Sequence, residues 1–254
     1  MRPTKTKSRA GRTSTPRSRT RGGVTSTRAA AAALPRIRVL YLVPTDIDPR
    51  PGALEVIERA VRHLQHWYRE QLDNEKTFTL HSPVVELVRA DHDAAWFSEH
   101  ESHADKNMRF WLNATNEAFA LAGGSFNDPQ NIWNIYLDAD EKPGQVMGGA
   151  QGVCLMPRND VRGLLGQNTG KVCRWVGGFG HELGHALGLP HPPGCGEPGN
   201  EDNHECQSLM YLGYTNYDDT FLRDADKVRL DTSPFFRVQT LEPLDFDCSL
   251  EDVS

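Results

Sequence analysis

Apolar and polar positions change their rhythm along the chain, and the changes mark its elements. Residues 36–44, RIRVLYLVP, are a β-branched and apolar run closed by proline, which predicts a strand. Leu54, Ile57, Val61, Leu64, Tyr68 and Leu72 then recur at threes and fours, predicting an amphipathic helix of about five turns. Residues 77–90 read as a second strand, bent at Pro83. Residues 105–121 read as a helix with Met108, Trp111, Leu112, Thr115 and Phe119 on one face, stopped by Gly123 and Gly124. Residues 131–140 predict a third strand and residues 148–157 a fourth, glycine-rich one. Residues 174–187 predict a last helix, with Val176, Phe179, Leu183, Ala186 and Leu187 as its apolar face. Strands alternating with helices imply an α/β architecture around a twisted mixed sheet.

That last helix conflicts with its own composition. Gly177, Gly178, Gly180 and Gly184 each cost up to about 1 kcal/mol relative to alanine in a helix. Packing or a ligand must hold it, and such local conflict is expected at a functional site.

The same helix contains the chemistry. Residues 181–191 read HELGHALGLPH. His181 and His185 are four apart, so a helix projects both imidazoles from one face, suited to nitrogens about 2.0–2.1 Å from one zinc ion. Glu182 stands beside the metal rather than on it, placed to take a proton from a water the ion activates. Gly188 falls where the helix should end and can take a left-handed turn, bringing His191 round as third ligand between Pro190 and Pro192. The competing ligands are Glu197, Glu201 and Glu205, but residues 192–206 have no periodicity to aim a carboxylate.

Five matched positions in this pattern (His181, Glu182, His185, Gly188 and His191) resemble the signature of the metzincin clan of zinc endopeptidases. Residues 208–214, SLMYLGY, resemble the clan's methionine turn, with Met210 as its methionine. Within the clan the sequence is most similar to the matrixins, through HELGHALGL and the spacing of Met210, Tyr211 and Tyr214. The resemblance implies an α+β fold with a sheet of about five strands, an active-site helix and a methionine turn. It implies peptide binding along an edge strand at residues 148–156, and a substrate pocket walled by Leu212, Gly213 and Tyr214. It also implies a secreted protein, although residues 1–35 contain no recognisable secretory signal. Departures from the matrixins are the two prolines around His191, Leu212 where astacin-like enzymes carry a tyrosine ligand, and a long loop over residues 192–207. That loop is similar to the pappalysin-like branch.

Charge divides the chain in two. The first 45 residues hold eleven Lys and Arg and no Asp or Glu, leaving 17 basic against 34 acidic residues downstream. Residues 1–35 are expected to be a disordered basic arm, with residues 36–254 as the catalytic domain. An acidic body argues against specific nucleic-acid binding, and no apolar run is long enough to span a membrane. The expected partner is a protein or peptide substrate, with the protein itself a monomer. Five cysteines form no CxxC pair; Cys195 and Cys206 flank one loop and are candidates for a disulfide, with simple burial as the alternative. Asp138, Asp140 and Glu141 form either a calcium site or a solvated acidic turn. Asn113 begins a glycosylation sequon inside a predicted helix.

The functional expectation is a zinc-dependent endopeptidase: His181, His185 and His191 hold Zn2+ and Glu182 is the general base. The alternative is a catalytically inactive, zinc-stabilised binding protein.

Overall fold

The structure is a computed structural model, and it describes residues 34–200, 202–217 and 219–249. The basic arm therefore lies outside the described residues except for its last two positions.

The first strand, β1 (Arg36–Val43), occupies the middle of a five-stranded sheet. It pairs in parallel with β3 (Leu80–Arg89) on one side and β4 (Asn131–Leu137) on the other. Beyond β4 lies β6 (Val153–Met156), also parallel, and β5 (Gly148–Ala150) closes the edge antiparallel to β6. The order is β3-β1-β4-β6-β5. Alternate residues of β1 enter different cores. Ile37, Val39, Tyr41 and Val43 face α1 (Ala53–Gln71) and α5 (Val172–Ala186). Leu40 and Leu42 face α2 (Ala94–Glu99) and α3 (Arg109–Ala122), where Phe97, Phe110, Trp111 and Ala114 are packed. A strand covered on both faces reads as an unbroken apolar run. Helix α4 (Arg158–Leu164) follows β6 and packs against α1 and α5.

Several elements differ from the sequence expectation. Residues 77–90 are two strands in two sheets, because Thr79 serves both. Its carbonyl accepts from Ile37 N–H at 2.7 Å, while its own N–H donates to Phe235 O at 3.1 Å. Thus β2 (Lys76–Phe78) leaves the main sheet to pair with β7 (Phe236–Val238). Residues 148–157 are a hairpin rather than one strand. Gln151 and Gly152 both take positive φ, 52° and 79°, which a two-residue turn of this hand requires. Of this hairpin β5 alone lies at a sheet edge; β6 is interior. In α3 the buried stripe is Phe110, Trp111, Ala114 and Ala118, with Leu112 and Phe119 on its flank. Asn113 is buried and donates to the carbonyls of Phe97 and His100, so its sequon is not presented at the surface. Helix α6 (Asp224–Asp231), like α2, α4 and β7, had no signal in the periodicity. No helix among the described residues is long and apolar enough to cross a membrane.

Candidate metal centre

The glycines of α5 lie where other parts of the chain approach its backbone. A Cβ on Gly180 would meet Leu64 of α1, one on Gly177 the carbonyl of Tyr214, and one on Gly184 the thioether of Met210. Close packing on three sides offsets the helix propensity these residues give up. Tyr68, fully buried on α1, donates its hydroxyl to Gly180 O at 3.1 Å.

The helix ends in a Schellman motif. Gly188 N–H donates to His185 O and Leu189 N–H to Gly184 O, both at 2.9 Å, with Gly188 at φ 87°. The chain then doubles back and carries His191 to the two helical histidines. Their Nε2 atoms lie 3.1 Å (His181 to His185), 3.0 Å (His185 to His191) and 3.3 Å (His181 to His191) apart.

The outer ring nitrogens explain this convergence. His181 Nδ1 meets Leu209 O at 2.7 Å, and His185 Nδ1 meets Leu189 O at 2.9 Å. A carbonyl only accepts, so both Nδ1 atoms carry the proton and donate it. Their Nε2 atoms are left with lone pairs that face one another. Burial pushes His181 down to about 4, against the pull of the Leu209 carbonyl, and burial also lowers His191. Lone pairs aimed at one point repel unless a cation sits among them. Separations of 3.0–3.3 Å match the ~3.3 Å edge of a tetrahedron with metal–nitrogen bonds of ~2.0–2.1 Å. The donor set fits zinc. Among the described residues this is the only group of three or more His, Cys, Asp or Glu able to share a metal ion.

Met210 is fully buried against Gly184, one residue after the carbonyl that orients His181. Of the carboxylates weighed as third ligands, Glu205 lies 3.8 Å from Arg223 and Glu197 is exposed on the loop. Neither joins the histidines, and Glu201 lies outside the described residues. A disulfide joins Cys195 to Cys206. A second joins Cys173, at the start of α5, to Cys248, a pairing across 75 positions that no local spacing announces. Cys154 is free and buried.

Glu182 is held from the sheet. Its Oε2 accepts from the backbone N–H of Gly149 on β5 at 2.7 Å. Burial raises its carboxyl, and that hydrogen bond opposes the rise. A Cβ on Gly148 would strike the Glu182 carboxylate, and one on Gly149 the Glu182 carbonyl. The paired glycines thus let the edge strand lie directly on α5. A cleft of about 300 Å³ is lined by Gly178, His181, Glu182, His191, Tyr211, Leu212 and Tyr214. Gly213 is not part of that wall; it is buried behind it, against Thr220 and the carbonyl of Gln207. A larger cavity of about 660 Å³, which includes Lys171, His204 and Phe221, contains none of the three histidines.

Of the two readings of the acidic cluster, calcium is not supported. Asp138 is fully buried and its carboxylate is taken by Tyr41 (2.7 Å), Arg50 (2.9 Å) and Arg158 (2.8 Å). Asp140 pairs with Arg158 at 2.6 Å. Two guanidinium groups already neutralise the acids that a cation would need.

Sequence reasoning missed the support of the third histidine. Arg223 donates to Pro190 O at 3.1 Å while pairing with Asp226 at 2.7 and 2.8 Å, and both side chains are buried.

No family model matches this sequence, and no curated protein does. The fold is shared with solved structures. OgpA from Akkermansia muciniphila aligns at 20% identity and a TM-score of 0.57, covering 82% of this chain and 63% of that one. A catalytically inactive OgpA in complex with an O-glycopeptide substrate, glycodrosocin, aligns at 19% identity and a TM-score of 0.57, covering 81% and 62%. Archaemetzincin from Methanopyrus kandleri aligns at 18% identity and a TM-score of 0.41, covering 76% and 93%. The chain spans less than two thirds of the length of OgpA. The likeness to OgpA shows the fold: a mixed five-stranded sheet with its helices.

Proposed function

We propose that residues 36–254, behind a basic arm of residues 1–35, form a zinc-dependent endopeptidase. One observation carries this reading: three imidazole Nε2 atoms converge to 3.0–3.3 Å with a buried glutamate carboxylate at their side. His181, His185 and His191 would hold the ion, and Met210 would support their floor. When bound, zinc supplies Lewis acidity toward a peptide carbonyl and a water. Glu182 takes the proton of the attacking water and delivers it to the leaving amine. A carboxyl raised by burial is suited to both acts, and the Gly149 N–H keeps it on the cleft side of α5. Backbone at β5 receives the substrate in extended form, and Leu212 and Tyr214 border the neighbouring pocket. That OgpA is found with a glycopeptide substrate supports a peptide-based ligand. The two disulfides suit an oxidising compartment. Within the metzincins we favour a matrixin-like enzyme whose disulfide-closed loop after His191 is pappalysin-like.

The reading is tested by measuring bound zinc in the full chain and comparing cleavage of unfolded casein by the wild type and Glu182→Ala. Cleavage lost with zinc retained supports it. A wild type that holds stoichiometric zinc and cuts no peptide would leave the inactive zinc-stabilised binding protein instead.

A further inference from the structure

A second chamber adjoins Glu182. It has a volume of about 170 Å³, and Gly178, Glu182 and Tyr214 line both it and the histidine cleft. At ~30 Å³ per water, this is the room of five or six waters, close to the bulk of one long side chain. Its walls include Met147 and Met156, with Asn159 and Arg174 as polar neighbours. Asp160, in the first turn of α4, lines the chamber at 8% exposure. No other described residue hydrogen-bonds or ion-pairs with its carboxylate. Its Oδ1 faces Gly178, since a Cβ there would stand 3.9 Å from it, and Gly178 lies one helical turn before Glu182. Trp175, packed on Gly163, lines the same chamber, and its Nε1 is buried without an acceptor.

An acid in such a place normally has a partner. Arg174 lines the same chamber and does not serve as that partner. Arg174 lies over the Trp175 ring at 4.7 Å and toward Tyr214 at 5.9 Å, and forms no ion pair with Asp160. Burial, with Glu141 and Glu182 adding to it and Arg174 opposing, pushes Asp160 up to about 7. The acid is thus short of positive charge in the free protein. A chamber with the methionines on its wall and an unpaired, nearly buried carboxylate matches a flexible hydrocarbon stem ending in an ammonium group.

We propose that Asp160 is a specificity-determining residue, and that this chamber receives a lysine side chain flanking the scissile bond, whose Nζ pairs with the Asp160 carboxylate. The inference rests on the peptidase reading. It adds a preference which the histidine centre does not itself imply.

The test incubates the zinc-loaded full chain with a diverse peptide library and reads cleavage sites by mass spectrometry. Lysine is expected at one flanking position at least about tenfold above leucine, the scale of a buried charge-assisted hydrogen bond. In Asp160→Asn that ratio should fall by at least about tenfold. Asp160→Ser is the second variant should the first not fold, and the wild-type preference stands as a measurement by itself. Preference for leucine, for serine or threonine, bare or glycosylated, or for acidic residues overturns the proposal. So does a lysine preference that persists without Asp160. A wild type that binds zinc but cuts no peptide sinks the peptidase reading, and this inference with it; a wild type that cuts without regard to lysine sinks this inference alone.

Discussion

Arg223 and Asp226 form a buried two-bond pair, at 2.7 and 2.8 Å, whose guanidinium also donates to the carbonyl of Pro190. The pair thereby fixes the backbone immediately before His191. Removing one partner leaves the other charge buried and uncompensated. Arg223→Met should lower unfolding stability by about 3–5 kcal/mol, and should weaken zinc binding because His191 loses its anchor. Arg223→Met with Asp226→Leu should recover most of the stability without recovering the zinc affinity. Denaturant unfolding and competitive zinc titration measure the two effects. A single variant within about 1 kcal/mol of wild type would show that the pair does not act in this way.

The three histidines should behave as one binding unit. His191→Ala should reduce zinc affinity, whereas Glu205→Gln should leave it unchanged. Chelation should lower the unfolding temperature of the wild type, by a stabilisation of about 2.7 kcal/mol for zinc at a hundred times its dissociation constant. Equal melting of the chelated and zinc-loaded protein in calorimetry contradicts a zinc site.

Gly149 is placed where only hydrogen fits. Gly149→Ala should push β5 away from α5 and take the N–H from Glu182. Activity should fall by about 100-fold or more, the scale of a displaced general base, with a stability loss of about 1–3 kcal/mol from overpacking. Peptidase assay and unfolding curves of the same preparation separate the two. Unchanged turnover would mean that the Gly149 contact has no bearing on the base.

Asp160 predicts a pH dependence with a definite sign. Its folded value, about 7, lies above its ordinary 3.8, so the folded protein keeps a proton which the unfolded chain has lost. This contribution to stability is complete below about 4 and disappears as pH rises to about 7. Asp160→Asn does not ionise, so its stability relative to wild type should rise between pH 4 and pH 7 and then level off. Unfolding of both proteins across that range measures it; a constant difference excludes the shift.

The Cys173–Cys248 disulfide ties α5 to the C-terminal segment across 75 positions. Cys173→Ser should cost up to about 4 kcal/mol, mostly through the freer unfolded chain. A loss under about 1 kcal/mol would show that the unfolded chain is already restrained there.

The chain's own pattern determined the local features. Helical spacing alone places His181 and His185 on one face, and Gly188 marks where α5 must turn. The apolar run of β1 and the threes and fours of α1 each declare their element, because each buries a continuous stripe or face. Tertiary structure decided what depends on distant pairs. Thr79 splits one apparent strand because its two backbone groups bond to Ile37 and Phe235, which no local pattern records. The calcium reading of Asp138 failed for a similar reason: Arg50 is 88 positions away, and only the fold brings it to the carboxylate. Cys248 on Cys173, Arg223 at Pro190 and Gly149 at Glu182 are likewise contacts between remote segments. The glycines of α5 belong to both levels. Their number marked the helix as anomalous, and only the packed structure showed Leu64, Tyr214 and Met210 occupying the space that side chains would have filled. A sequence displays what repeats along one element; which backbone will press against it follows from closing the whole chain around its core.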